Sequence, residues 1–314
     1  MALTPVLIII GIVSFLFFYS YPSIFYNGSN FLTSITWYTG LQGNVVQSHG
    51  FSVQSGASFG ILVFLVGTLL TSGLALLIAL PASFFISISV EFYLPSRIKS
   101  ILISFIELFA GIPSVVYGFW GVLFLEPILY NYIEPWMSAS LGSIPVLGLV
   151  FGGQVTSGYG IIISAIILSI MIIPIITSVM TNSLDKAPKE VRESIYSMGA
   201  TKWEVGRYLL SSFHKSSTWG GAMLGLGRAL GETMAVWMVA GGLQGALPSS
   251  LYGTINTMAA WIASQLDSAY MDSSGMTISA LAELSLILMG VSLIASVIGR
   301  RIAGRGALRG YQND

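Results

Sequence analysis

Long apolar stretches recur along the chain and are separated by shorter polar segments. An α-helix needs roughly 20 apolar residues to cross a hydrocarbon core of about 30 Å. Stretches of about that length predict six transmembrane helices, at Pro5–Tyr21, Gly60–Val90, Ile101–Leu125, Tyr159–Ser178, Trp219–Leu243 and Ile278–Ile298. The runs lack the alternating pattern of membrane β-strands, so helices are expected throughout.

Composition also favours an all-α polytopic membrane protein over a soluble fold. Of 314 residues, 54% are hydrophobic and only 8% are charged, whereas about 25% are charged in soluble domains. The second stretch contains Pro81, which favours one kinked helix over two separate ones. No basic residue precedes the first stretch and no clear small-residue cleavage site follows it, so we expect an uncleaved anchor.

The basic residues are distributed asymmetrically between the predicted loops. Of the 13 Lys and Arg, two lie between the second and third spans, six between the fourth and fifth, and four in the tail. The segments 26–58, 126–158 and 244–277 contain none. The positive-inside rule therefore predicts that these segments are external and that both termini are cytoplasmic. The thirteenth basic residue, Arg228, lies inside the fifth span.

The external segments carry weaker patterns. Segment 26–58 is rich in Ser, Gly and Asn and is expected to be a solvated loop. Segment 141–155 is apolar but short and broken by glycines, so we predict a re-entrant or interfacial piece. The chain then divides into a first helix with its external loop (1–58), a transmembrane core (59–300) and a basic cytoplasmic tail (301–314).

The cytoplasmic loop at about 181–218 holds six of the basic residues. Pro188 suits the first turn of a helix. Val191, Ile195 and Met198 follow at the i, i+4, i+7 spacing that forms one apolar stripe. A short amphipathic helix is therefore predicted.

A glycine separates this helix from a second one. Gly199 suits a helix end, and Thr201 with Glu204 forms the T-x-x-E pattern of a capping box. The predicted order is helix, glycine break, helix. Such a piece either lies on the membrane surface or inserts its apolar stripe into a groove on a soluble partner.

The segment from Arg192 to Glu204 resembles the EAA loop of ABC importer permeases, which contains the coupling helix that binds the ATPase. The Glu and Gly keep the family spacing, whereas the two alanines are replaced, and Ser211-Ser212 stands where the family usually has Leu-Pro. The resemblance assigns ATPase coupling to Glu193, Ser194, Ile195 and Gly199.

Two further runs, Glu107–Gly121 and Gly225–Val236, closely resemble phosphate permease subunits of the PstC type. The resemblance extends over roughly residues 60–300 and implies the MetI-like ABC importer permease fold. It implies half of a path for inorganic phosphate, completed by a paralogous PstA-type permease subunit. It also implies two soluble ATPase subunits, which bind ATP and Mg, and an extracellular phosphate-binding protein. Gly111 and Pro113 would then shape the path.

The second run places opposite charges inside the fifth span. An arginine within a span costs about 2.5–3.5 kcal/mol on insertion scales, so Arg228 is expected to face protein or a water-filled cavity. Glu232, four residues later, would lie on the same helix face. Either the two only neutralise each other, or Arg228 helps attract or pass phosphate while Glu232 holds it in place and limits the affinity.

Other chemistry is not indicated by the sequence. There is no cysteine, and the two histidines stand far apart, so no metal site is expected. No P-loop is present, so ATP hydrolysis is assigned to a partner and no cofactor is expected in this chain. No basic patch points to nucleic acid. Glu107 and Glu283 fall near or within spans. Glu107 is interpreted as a helix-end carboxylate, because the Ile112-Pro113 step is expected to bend the chain just after it.

Three functions remain open at this point. The chain is an ABC permease for phosphate, an ABC permease for another oxyanion or small solute, or an ion-coupled secondary transporter or channel. The third belongs to a different class and predicts inverted repeats with broken helices, which are not evident in the sequence.

Overall fold

The computed structural model describes residues 3–242 and 244–307. Its helices are α1 (Leu3–Asn27), α2 (Asn30–Thr33), α3 (Leu62–Phe92), α4 (Ser96–Ala110), α5 (Ser114–Trp120), α6 (Glu126–Ile128), α7 (Glu134–Ser140), α8 (Gly148–Phe151), α9 (Ile161–Asp185), α10 (Lys189–Ser197), α11 (Lys202–Tyr208), α12 (Lys215–Leu230), α13 (Met234–Val239), α14 (Met258–Met271) and α15 (Met276–Ala307). Its strands are β1 (Trp37–Tyr38), β2 (Leu41–Ser48), β3 (Phe51–Ser55) and β4 (Ser58–Phe59). Short π-helical turns follow α5, α6 and α11, at Gly121–Leu125, Leu129–Ile133 and Leu209–Phe213.

Several of these helices are long and apolar enough to cross a membrane. Within the described residues there are four: Val6–Asn27, Leu62–Phe92, Ile161–Asp185 and Met276–Ile302. A fifth candidate is a bent pair, Ser96–Ala110 followed by Ser114–Ser140, so the third predicted span, Ile101–Leu125, is not one continuous helix. The fold is therefore polytopic and helical, as predicted, but the described residues provide at most five candidate spans where six were expected. Helix α3 is a single helix that contains Pro81, also as predicted.

The predicted continuous helix over Trp219–Leu243 is wrong. Helix α12 ends at Leu230, and α13 begins only at Met234. The break follows from local chemistry, because Gly231 favours a helix end and the Glu232 carboxylate accepts a hydrogen bond from the Ala235 N–H, which begins a new helix. Leu243 lies outside the described residues.

Two further predictions concern segment 141–155 and the tail after residue 300. Segment 141–155 contains turns and the four-residue helix α8, so its re-entrant or interfacial position stays a prediction. Helix α15 continues into the predicted tail as far as Ala307. The rest of the tail, residues 308–314, lies outside the described residues.

The chain divides into two compact units. The first consists of Met1–Leu70, Gly118–Ser164 and Glu232–Val291, and the second of Thr71–Tyr117, Ala165–Gly231 and Ser292–Asp314.

An aromatic cluster forms the core of the first unit. The Phe64 ring stacks on Trp261 with centroids 4.6 Å apart, and Trp37 meets both Trp261 and Phe59 edge-on. Phe31, Phe59 and Phe64 are almost completely buried. Since burial of an aromatic side chain contributes roughly 1.5–3 kcal/mol, this cluster stabilises segment 26–58 against the helices.

The segment 26–58, predicted as a solvated loop, is more ordered than expected. In the described part of the chain, β1 pairs antiparallel with β4, with Trp37 opposite Phe59, and β2 pairs antiparallel with β3. The β2–β3 register shifts between Leu41 and Val45, which indicates a bulge. The prediction of a loop was wrong because the alternate apolar residues that pack inward are few and far apart.

Close helix packing characterises the second unit. The hydroxyls of Ser83 and Ser87 in α3 donate to the Ile173 and Thr177 carbonyls of α9, at 3.2 and 3.3 Å. A Cβ added to Gly225 of α12 would lie only 2.9 Å from the Ile176 side chain of α9. Glycine is therefore needed at this crossing to let the two backbones approach.

Candidate functional site

The predicted coupling loop lies in the second unit and has the predicted helix–glycine–helix order. Helix α10 follows directly after Pro188 and ends at Ser197. Gly199 has a φ of +83°, in the left-handed region that favours glycine. A Cβ at Gly199 would have no other atom within 4 Å, so backbone conformation, and not crowding, requires glycine here.

The predicted capping box is present at the start of α11. The Thr201 N–H donates to Glu204 Oε2 at 2.7 Å, and the Glu204 N–H donates to Thr201 Oγ1 at 3.4 Å. The backbone hydrogen bond from Thr201, reinforced by its hydroxyl, lowers the pKa of Glu204. The capping box thus defines the start of the second helix of the loop, directly after Thr201.

The apolar stripe of α10 is divided between packing and exposure. Ile195 is only 8% exposed, so its side chain packs α10 against other parts of the same chain. Val191 is half-buried, and Met198 is 79% exposed. The exposed Met198 side chain therefore forms an apolar end of the stripe, just after the last residue of α10.

A groove of about 630 Å³ runs beside this exposed end. Its lining includes three of the predicted coupling residues, Ser194, Ile195 and Gly199, together with Met198 and groups from α11. The fourth predicted coupling residue, Glu193, is exposed but does not line the groove. The structure thus brings most of the EAA-like residues to one concave surface.

Helix α11 is fixed beneath this surface by aromatic packing on α3. The Trp203 ring stacks on Phe85 with centroids 5.2 Å apart and planes 11° from parallel. Gly206 lies so close to α3 that a Cβ there would be 2.8 Å from the Ile88 side chain. The groove is therefore built on a rigid support.

Sequence reasoning missed the ionic network behind α10. Arg192 Nη2 lies 3.1 Å from Glu91 Oε1, and Lys99 Nζ lies 2.7 Å from Glu91 Oε2 and 2.9 Å from Asp185 Oδ1. The only local signal was an acidic residue at the polar end of the long apolar run of α3. The pairing itself joins residues as far as 101 positions apart, which no spacing rule predicts.

The run Glu107–Gly121 contains the predicted bend. Helix α4 ends at Ala110, α5 begins at Ser114, and the two helices differ in direction by 90°. Pro113 disfavours a helical conformation in the preceding residue, which accounts for the break. Gly111 forms the end of α4 with an ordinary φ of −87°, so its path-shaping role, like that of Pro113, stays a prediction.

Arg228 occupies the last turn of α12 and is exposed. The ion pairs among the described residues involve Glu91, Lys99, Asp185 and Arg192, and Arg228 takes part in none of them. In the other family-like run, the Tyr117 hydroxyl donates to the Phe109 carbonyl beside the bend at 2.9 Å. The two runs approach each other closely at Gly118, where an added Cβ would lie 3.1 Å from the Ala235 backbone.

The predicted relation of Glu232 to Arg228 is corrected by the helix break. Because α12 ends at Leu230, the two residues do not lie one turn apart on a continuous helix. Glu232 is buried, and its Oε1 accepts from the Ala235 N–H at 3.2 Å. Its observed role is to satisfy the first turn of α13.

The two other predicted carboxylates have different environments. Glu107 is exposed near the end of α4, as the helix-end interpretation expects. Glu283 is buried in α15, where its Oε2 accepts a 2.6 Å hydrogen bond from the Ser23 hydroxyl.

Comparisons with known proteins show similarity over most of the chain. The chain is 38% identical over 280 residues to "Phosphate transport system permease protein PstC 1" of Mycobacterium tuberculosis, covering 89% of this chain and 82% of that protein. It is 38% identical over 242 residues to PstC of Haemophilus influenzae, covering 77% and 75% of the two chains, and 36% identical over 296 residues to PstC of Mesorhizobium japonicum, covering 94% and 84%.

A family of transport proteins matches the larger part of the sequence. Residues 79–304 match the family described as "Binding-protein-dependent transport system inner membrane component". The matched range includes the bend, the predicted coupling loop and Arg228. The chain therefore belongs to the family of binding-protein-dependent transport system inner membrane components.

Proposed function

We propose that this chain is the membrane-spanning permease subunit of an ATP-driven importer for inorganic phosphate. It forms half of the translocation path and couples to a separate ATPase. The observation that carries the proposal is its similarity, over 77–94% of its length, to proteins named as phosphate transport system permeases.

The coupling loop supports a role in ATPase binding. The groove presents Ser194, Ile195 and Gly199 around an exposed apolar end, Met198, on a rigid base. A concave surface with an apolar end and nearby charges is suited to a partner helix or loop. We assign this surface, with Glu193 at its margin, to one of two soluble ATPase subunits that bind ATP and Mg.

Arg228 supports phosphate as the substrate. A guanidinium offers paired donors that match phosphate oxygens, and one that takes part in none of the described ion pairs is available for an anion. We place Arg228 in the substrate path and assign Glu232 to shaping that path through the start of α13. Gly111 and Pro113 would shape it through the bend after α4.

The remaining assignments follow from the same proposal. The chain would lie in the cytoplasmic membrane with both termini inside. Segments 26–58, 126–158 and 244–277 carry no basic residue, and the positive-inside rule places such segments outside. A paralogous PstA-type permease subunit would complete the path, and an extracellular binding protein would deliver phosphate. This chain itself would be non-catalytic and would bind no cofactor.

Substrate-stimulated ATP hydrolysis tests the proposal. The chain, its permease partner, the ATPase and the binding protein are reconstituted in proteoliposomes, and ATP hydrolysis is measured with phosphate, sulfate or molybdate. We expect stimulation by phosphate. Stimulation by sulfate or molybdate with none by phosphate would refute the substrate assignment, and no association with an ATPase would refute the ATP-driven class.

A further inference from the structure

The Glu91 carboxylate is shared by cations from two other helices. Its side chain is only 5% exposed, and each oxygen faces a different partner: Oε1 faces Arg192 of α10 and Oε2 faces Lys99 of α4. A buried carboxylate requires such compensation, because removing it from water without paired cations is strongly unfavourable.

The position of Glu91 makes this requirement stronger. It lies in the last turn of α3, where the helix dipole favours cations and disfavours anions. A carboxylate there is held in place by its partners and not by the helix. Its burial therefore depends on α10 and α4 keeping their observed positions.

Arg192 connects the same point to a further helix. One of its Nη2 contacts is with the Leu184 carbonyl at the end of α9, and its guanidinium lies 5.3 Å from the centre of the Phe92 ring. Lys99 also pairs with Asp185, the last residue of α9. One ionic network thus joins α10 to the ends of α3 and α9 and to the start of α4.

The two sides of α10 have distinct contacts. Ser194 lines the groove and Met198 is largely exposed, whereas Arg192 is bound to Glu91. A displacement of α10 from the groove side would act directly on the Arg192–Glu91 pair. Because Glu91 also binds Lys99, the same displacement acts on α4.

We propose that Glu91 is a positioning residue for coupling: it transmits movement of α10 to the adjoining ends of α3 and α4. This inference rests on the proposed function, in that it assigns α10 to ATPase binding. Glu91 does not line the groove assigned to the ATPase, and it acts by keeping α10, α3 and α4 in register.

The test uses the reconstituted complex and measures phosphate uptake, ATP hydrolysis and ATPase binding together. The main variant is Glu91→Gln with Arg192→Gln, which removes one positive and one negative charge and leaves Lys99 paired with Asp185. Its amides can still hydrogen bond, so a merely structural pair would be replaced. We expect ATPase binding and hydrolysis to persist while the phosphate transported per ATP hydrolysed falls by about fivefold or more, the lower end of typical coupling between sites.

Asp185→Asn is the matched control. Asp185 is 65% exposed and belongs to the same network, but it does not contact Glu91. Exposed ion pairs contribute little, so the uptake-to-hydrolysis ratio should stay within about twofold of wild type. An equal loss in this control would show that the network acts as a general support, and would overturn the role given to Glu91.

The outcomes separate this inference from the proposed function. A wild-type complex that responds to another oxyanion refutes phosphate as substrate, and the ratio measured with that oxyanion still tests Glu91. A double variant with a ratio within about twofold of wild type overturns the inference, by the same coupling scale. A double variant that no longer binds the ATPase also overturns it, because the pair would then serve assembly and not transmission.

Discussion

The hydroxyl of Ser23 in α1 donates a 2.6 Å hydrogen bond to Oε2 of Glu283 in α15. Both side chains are buried, and the Asn27 amide donates to the Ser23 hydroxyl at 2.9 Å. These residues stand 260 positions apart in the sequence. The contact therefore joins the first and last helices of the first unit by a polar link in an apolar setting.

Ser23→Ala should destabilise the protein more than its small change in volume suggests. It removes the hydroxyl that donates to the buried Glu283 carboxylate, at a cost of about 1–3 kcal/mol for the unsatisfied group, whereas the Asn27 amide keeps its bond to the Ser23 carbonyl. We expect a melting temperature several degrees below wild type, measured by thermal unfolding in detergent. Ser14→Ala, on the exposed part of the same helix, is the control, and an equal melting temperature for the two variants would contradict the link.

Gly199→Val should weaken ATPase binding because of its backbone conformation. A left-handed φ costs a non-glycine residue about 1–2 kcal/mol, and a β-branched residue tolerates it least. We expect several-fold less ATPase to co-purify with this variant. Gly199→Asn is the control, since asparagine adopts this region more readily. Undiminished co-purification of Gly199→Val would remove the turn from the coupling surface.

Glu204 should make the start of α11 sensitive to acid. Its pKa is lowered in the folded chain from an ordinary value of 4.5, so the stabilisation is complete above that value and is lost as pH falls through the folded pKa. Hydrogen exchange at the Val205 amide, compared with Glu204→Gln at each pH, measures this. At neutral pH the Val205 amide of the wild-type protein should be more protected from exchange than that of the Glu204→Gln variant. In acid the two protection factors should become equal. Protection that exceeded the variant equally at every pH would rule out the carboxylate.

The proposed orientation is tested by two serines that are both exposed. Ser273 lies in a segment without basic residues, and Ser211 lies in the basic loop. Cysteine introduced at Ser273 should react with an impermeant thiol reagent added outside intact cells, and cysteine at Ser211 should react only after the cells are opened. Labelling of Ser211 from outside would reverse the assignment.

Local signals in the sequence were sufficient to predict the structure of the loop between α9 and α12. The capping box needs only Thr201 and Glu204 at the correct spacing, and the left-handed turn needs only Gly199, so both could be predicted. The bend after α4 was predicted for the same reason, since Pro113 acts on its immediate neighbour. Such features depend on a few consecutive residues.

Features that depend on distant partners could not be predicted in this way. Strands β1 and β4 pair where Trp37 packs against both Phe59 and the distant Trp261. The role of Glu91 can be inferred only once Arg192 and Lys99 are known to lie beside its carboxylate. Hydropathy also overestimated the fifth span, because an apolar average does not register the helix break at Gly231 and Glu232.

Arg228 is the residue that we propose to bind phosphate directly in the substrate path. Its observed geometry simplifies the test, because Arg228 takes part in none of the ion pairs of the described residues and its neutralisation breaks no such pair. Arg228→Gln removes the charge, and Arg228→Lys keeps the charge but not the paired donors.

ATP-dependent uptake of radiolabelled phosphate by proteoliposomes that contain the assembled complex is the most direct measurement. We predict that Arg228→Gln lowers uptake by about tenfold or more, in line with the loss of a charge-assisted hydrogen bond of about 1.5–3 kcal/mol, and that Arg228→Lys is intermediate. ATPase binding should be unchanged in both variants. Phosphate uptake at the wild-type rate by a fully assembled Arg228→Gln complex would contradict a direct role of Arg228 in phosphate transport.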